Sequence, residues 1–96
     1  MKIMSIRHRG VKRLYLQDDG KDLPGEYIGK ITAMLTFICA MADEAELKTI
    51  PSWKAHQLRG NRQGTWSLTV SGNWRLTLDI DNKRKEVSDI DFEDYH

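Results

Sequence analysis

Residues 58–81, LRGNRQGTWSLTVSGNWRLTLDID, decide how the rest of the chain must be arranged. Two runs of strict alternation flank a glycine-containing turn, the pattern of an antiparallel hairpin with one apolar and one polar face. In the first run Trp66, Leu68 and Val70 share a side, against Thr65, Ser67 and Thr69. In the second, Trp74, Leu76, Leu78 and Ile80 share a side, against Arg75, Thr77 and Asp79. Residues directly opposite each other in an antiparallel pair point the same way. A two-residue turn at Gly72 and Asn73 would set Val70 against Arg75 and mix the faces. The expected connection is therefore a loop of Ser71, Gly72 and Asn73, which sets Val70 against Trp74, Leu68 against Leu76 and Trp66 against Leu78. On the polar face Thr69 then meets Arg75, either a solvated surface or the floor of a phosphate-binding cleft.

Working outward, residues 2–6 read as a short first strand. From 7 to 17 the period becomes helical: Val11, Leu14 and Tyr15 fall on one side, Arg9, Lys12 and Arg13 on the other, so the helix presents a basic stripe. Taken alone, that stripe reads as an ordinary solvated face. Asp18, Asp19 and Gly20 break the helix, and Pro24 with Glu26 opens the next. Tyr27, Ile28, Ile31, Met34, Leu35, Ile38 and Met41 recur every three or four residues, the signature of the main core helix, ending near residue 42 and covering the apolar side of the hairpin. Residues 43–48 add a further turn before Pro51 stops it. A strand at about 53–58 leads into the Gly60 to Gly64 loop, which has neither Walker spacing nor a following helix. In the last strand Val87 differs in parity from Ile90 and Phe92, which calls for a bulge near Ser88 or Asp89.

With 96 residues, the chain is one domain, residues 1–96, burying only about 60–65% of its unfolded surface around a single core. A lone cysteine, Cys39, excludes a disulfide framework and is expected to be buried packing. There is no apolar run of membrane-spanning length and no signal-peptide pattern, so the expected location is cytoplasmic, with no membrane partner. The net charge of +1 conceals a segregation. Residues 1–17 and 47–78 carry cations and no acids, whereas Glu86, Asp89, Asp91, Glu93 and Asp94 gather at the end. A basic surface for a polyanion is implied.

Three histidines and one buried cysteine leave too little material for a metal site of protein ligands, so no metal and no cofactor are expected. There is no Gly-x-Ser-x-Gly elbow for a serine hydrolase. What remains is acid-base chemistry on a phosphodiester. Cutting RNA through its own 2′-hydroxyl needs a base, cations for the charge growing on phosphorus-bound oxygen, and an acid for the departing 5′-oxygen. His56, Arg59, Arg75, Asp94, Tyr95 and His96 supply these capacities. On alternation alone, His56 shares parity with Leu58 and reads as a core histidine.

The segment HQLRGNRQGTWSLTVSGNWRLTLDID from His56, the ending DFEDYH and the start IRHRGVKRLY together closely resemble the HigB toxins of the RelE and ParE superfamily, over nearly the whole chain. The resemblance implies an α+β fold in which two N-terminal helices pack on one face of a twisted, mainly antiparallel sheet. It also implies a ribosome-dependent messenger RNA endoribonuclease that inhibits translation. The implied partners are a HigA-type helix-turn-helix antitoxin, the ribosome and mRNA, with DNA reached only through the antitoxin. The family's functional positions fall on His56, Arg59, Arg75, Asp94, Tyr95 and His96. Arg59 stands where relatives often have lysine, and a guanidinium clamps phosphate without giving up a proton; Phe92 stands where tyrosine is common. His96 is assigned base or acid, Asp94 its orientation, Tyr95 the substrate nucleotide, Arg59 and Arg75 the phosphorane, and His56 the second proton transfer. Arg9, Lys12, Arg13, Lys54 and Arg62 are the expected RNA or ribosome contacts. Two rivals stand beside this reading: a ParE-like inhibitor of gyrase and a non-catalytic RNA- or ribosome-binding protein.

Overall fold

The computed structural model describes residues 1–94. Five strands form one sheet in the order β1-β5-β4-β3-β2, where β1 is Lys2–Ile3, β2 His56–Gln57, β3 Trp66–Ser71, β4 Trp74–Asp81 and β5 Glu86–Asp94. All pairings are antiparallel except β1 with β5. Two helices precede the hairpin, α1 (Arg9–Gln17) and α2 (Gly25–Ala40).

Both helices lie on the same side of the sheet, since Val11 and Leu14 of α1 and Ile31, Met34, Leu35 and Ile38 of α2 join Leu68, Leu76, Leu78, Val87 and Ile90 in one buried cluster. The α2 set follows the i, i+3, i+4, i+7 stripe that alternation on the strands requires as a cover. Cys39 lies about a quarter-turn off that stripe and is exposed, correcting the expectation of burial; its Sγ stands 3.8 Å from the Tyr15 hydroxyl. α1 starts at an N-cap, His8, whose Nδ1 accepts from Gly10 and Val11 N–H at 3.1 and 3.2 Å. The Met1 amino group donates to the Ile38, Cys39 and Met41 carbonyls at 2.9, 3.0 and 2.7 Å, satisfying the end of α2.

The expected hairpin register is present below the turn: Trp66 opposes Leu78, Leu68 opposes Leu76 and Thr69 opposes Arg75. The turn itself differs, because Ser71 pairs with Trp74 and only Gly72 and Asn73 are left to connect the strands. Val70 is the inserted residue that absorbs the offset, so a short turn and unmixed faces coexist. Gly72, at φ +53, occupies a position that a side chain rarely adopts. The bulge expected in the last strand also exists. Thr77 pairs with Asp91 but Asp79 with Ser88, and Asp89 takes φ +54 with its N–H held by the Ser5 hydroxyl at 2.8 Å. The extra residue lets Val87, Ile90 and Phe92 all face the helices.

Residues 43–49 form the expected turn as a 3₁₀ helix, Glu44–Thr49, with an Asp43/Glu46 capping box. The strand expected at 53–58 shrinks to two residues, because Pro51–Trp53 is itself a 3₁₀ turn and Lys54 adopts φ +47. The first strand is likewise shorter than residues 2–6, continuing only as a bridge from Ile6 to Ile90. Leu76 is fully buried on the central strand. Leu76→Ala is expected to cost about 2–5 kcal/mol, readable as a lower urea midpoint at unchanged slope.

Candidate active site

Burying Leu68, Leu76 and Leu78 under the helices sends the residues between them to the other face. Register then places Thr65, Ser67 and Thr69 of the β3 segment, Arg75, Thr77 and Asp79 of β4, and Asp91 and Glu93 of β5 on one polar surface. Such a face should be open to water, yet Ser67 and Thr77 are only 1% exposed. Their cover is the β2–β3 connection. Leu58 pairs with Thr65 by an N–H to carbonyl bond of 2.8 Å and is buried outside the main core cluster, and the Gln57 side chain ties down the Gly64 carbonyl at 3.1 Å. From this loop Arg62 reaches across to Glu93, donating through Nη1 to Oε1 at 2.7 Å and through Nη2 to Oε2 at 2.6 Å. The Thr77 hydroxyl donates to the same carboxylate. A cavity of about 200 Å³ remains among Arg62, Thr77, Arg7 and the carboxylates of Asp79, Asp89 and Asp91.

His56 opposes Ser67 and is exposed on this polar face. The core reading is corrected: His56 does share parity with Leu58, but the face they share is the one away from the helices. Its Nδ1 lies 2.8 Å from the Lys54 carbonyl. A carbonyl only accepts, so Nδ1 is the donor in this contact, which leaves Nε2 as the ring nitrogen available for proton transfer. Arg75 is half-buried on the same face, its Nη1 donating to the Gly72 and Trp74 carbonyls at 2.5 and 3.2 Å. Among the described residues it makes no ion pair, although Glu93 is its register partner on β5. Arg59 is exposed at the head of the Gly60–Arg62 3₁₀ turn and makes no ion pair among the described residues.

Asp94 is in register with Trp74 at the end of β5, so alternation turns it toward the helix side, away from Arg75 and His56. Tyr95 and His96, to which substrate contact and proton transfer were assigned, lie outside the described residues. The five expected RNA contacts divide. Arg9, Lys12 and Lys54 are exposed cations without an ion pair among the described residues. Arg13 is instead drawn to Asp22 at 2.9 Å and Asp19 at 3.8 Å, fastening the α1–α2 connection, and Arg62 is engaged with Glu93. Both ion pairs share one cause: an acid separated in sequence is near in space. Arg9 and Lys12 also lie on α1, in the other layer from His56.

Alternation carried a signal for Glu93 and Thr77, which sequence reasoning passed over. Both have the parity of Arg75's face once the bulge is counted. The Arg62 guanidinium, aided by Thr77, holds the Glu93 carboxyl below its ordinary range although partial burial works the other way. A depressed carboxylate pKa stabilises the fold fully above the unfolded value of 4.5 and loses that contribution as pH falls through the lowered folded value. Glu93→Gln is therefore expected to cost about 1 kcal/mol at neutral pH. The gap in melting temperature between parent and variant should close on acidification below that value; a gap unchanged by acid would show the carboxylate charge to be irrelevant.

Comparison with known proteins identifies the family and the fold. Residues 4–96 match the model of the HigB-like toxins, described as RelE-like toxins of type II toxin-antitoxin systems. The chain is 33% identical over 94 residues to a protein of Proteus vulgaris named Endoribonuclease HigB, covering 98% of this chain and 99% of that one. Among solved structures, a YoeB/ParE toxin from Agrobacterium tumefaciens is similar at a TM-score of 0.59 and 15% identity, over 100% of this chain and 99% of that one. The toxin-antitoxin complex RelBE2 from Mycobacterium tuberculosis contains a chain similar at a TM-score of 0.51 and 20% identity, over 99% and 96%.

Proposed function

The chain belongs to the HigB-like family of RelE-like type II toxins, and from that premise we propose that it is an endoribonuclease that cuts messenger RNA on the ribosome and so inhibits translation. The observation that carries this reading is the placement, on one polar face, of an exposed histidine whose Nδ1 is engaged by a carbonyl and an arginine that makes no ion pair with a carboxylate among the described residues. The relative named Endoribonuclease HigB supports it.

In this reading His56 or His96 takes the proton of the 2′-hydroxyl as that oxygen attacks the adjacent phosphorus, and the other returns a proton to the departing 5′-oxygen. The products end in a 2′,3′-cyclic phosphate and a free 5′-hydroxyl. Arg75 and Arg59 meet the charge growing on the non-bridging oxygens, each such contact worth a few kcal/mol in the transition state. Arg59 remains charged throughout and serves as a clamp, not a proton donor. Asp94 would orient His96, and Tyr95 would stack on the nucleotide. Exposed Lys54 beside His56 extends the cationic border of the site. A HigA-type helix-turn-helix antitoxin is the proposed partner that neutralises the activity.

Mapping message ends in a purified translation system tests the reading. The parent is expected to give cyclic-phosphate ends, His56→Ala to lower the rate by about 10²–10⁴, and His96→Ala to lower it comparably. Replacing the 2′-oxygen at the scissile position with hydrogen should stop cleavage. Cleavage of that deoxy message would rule out the mechanism, and arrest of replication before translation would favour a gyrase-directed toxin.

A further inference from the structure

The sheet places Glu93 directly across from Arg75 on the adjacent strand. A carboxylate and a guanidinium in that relation ordinarily attract one another across the strands. Here they do not pair. Glu93 gives both oxygens to Arg62 and accepts from Thr77, while the Arg75 guanidinium turns back to the Gly72 and Trp74 carbonyls. Arg62 reaches this position because its loop folds back over the polar face, closing at Gly64 with φ +92.

The consequence is electrostatic. An uncompensated Glu93 would either quench Arg75 or repel a phosphate brought against it, and Asp91 on the same strand and face already weighs toward the acid side. We propose that Arg62 is a positioning residue: by pairing with Glu93 it removes the negative charge opposite Arg75, so that Arg75 meets the RNA phosphate as an active cation. The inference rests on the endoribonuclease reading and adds to it a residue that acts through another. It assigns Arg62 a counterion's part in place of the direct RNA contact expected from sequence.

A set of variants separates this from a loop that merely needs fastening. Single-turnover cleavage of ribosome-bound message is compared for the parent, Arg62→Gln, Arg62→Lys and the double variant Arg62→Gln/Glu93→Gln. Each is first checked for folding by thermal melting. Arg62→Gln exposes the carboxylate and should slow cleavage about tenfold, the scale of one unneutralised charge near a phosphoryl group. The double variant has no ion pair but also no stray charge, and should recover to within about threefold of the parent. Arg62→Lys, which keeps the charge and loses the fork, should lie close to the parent. Affinity for a message with a 2′-deoxy scissile position should follow the same order, with the largest loss for Arg62→Gln. A double variant as slow as Arg62→Gln, or an Arg62→Gln rate equal to the parent's, overturns the proposal. If Arg62→Gln does not fold, the double variant decides alone: recovery supports the charge argument and a tenfold loss overturns it. A parent that leaves the message intact sinks the endoribonuclease reading itself, and the counterion role with it.

Discussion

The burial of Leu76 and Leu78 beneath α2 is the constraint from which the rest of the molecule follows. Both are fully buried on the central strand β4, and Ile31 and Ile38 of α2 are fully buried in the same cluster. Because a strand alternates, sealing the even positions of β4 under a helix leaves Arg75, Thr77 and Asp79 no choice but the opposite face. The apolar core thus aims the polar residues. A slip of one residue would exchange the two sets, placing an arginine and an aspartate in the core at a cost no small domain could sustain.

Two insertions keep that alternation intact along the whole sheet. Val70 absorbs the offset of the short Gly72-Asn73 turn, and Asp89 reverses parity in β5 so that Val87 and Phe92 can share a side. Each is a local disruption of the ladder that preserves a global segregation of faces. Phe92 then stacks on Trp74 at 4.7 Å between ring centroids, closing the end of the core beneath the strand end that leads to the candidate catalytic residues.

The polar face is not uniformly cationic. Its β5 side carries Asp91 and Glu93, whereas His56 lies on β2, which exposed Lys54 and Arg59 flank in the chain, and Arg62 reaches across to Glu93. Under the proposed function RNA phosphates would meet the β2 side, and the acidic side requires an internal counterion if Arg75, between the two, is to act on an anion. Thr77, only 1% exposed although it sits on the polar face, is satisfied by donating its hydroxyl hydrogen bond to the Glu93 carboxylate. One carboxylate therefore serves both the interior of the face and its charge balance.

Periodicity alone determined the one-sided hairpin, the register of Trp66, Leu68 and Thr69 against β4, the core stripe of α2 and the need for a bulge in β5, because these follow from residues close in sequence sharing one face. The motif residues His56, Arg59 and Arg75 were equally visible in the chain. Tertiary structure alone decided which face the edge residue His56 takes, since a two-residue strand has no alternation long enough to declare it. It also decided which cations are committed: Arg13 meets Asp22 nine residues on, and Arg62 meets Glu93 thirty-one residues on. Charge pairing depends on distance in space, which the order of residues along a chain does not contain.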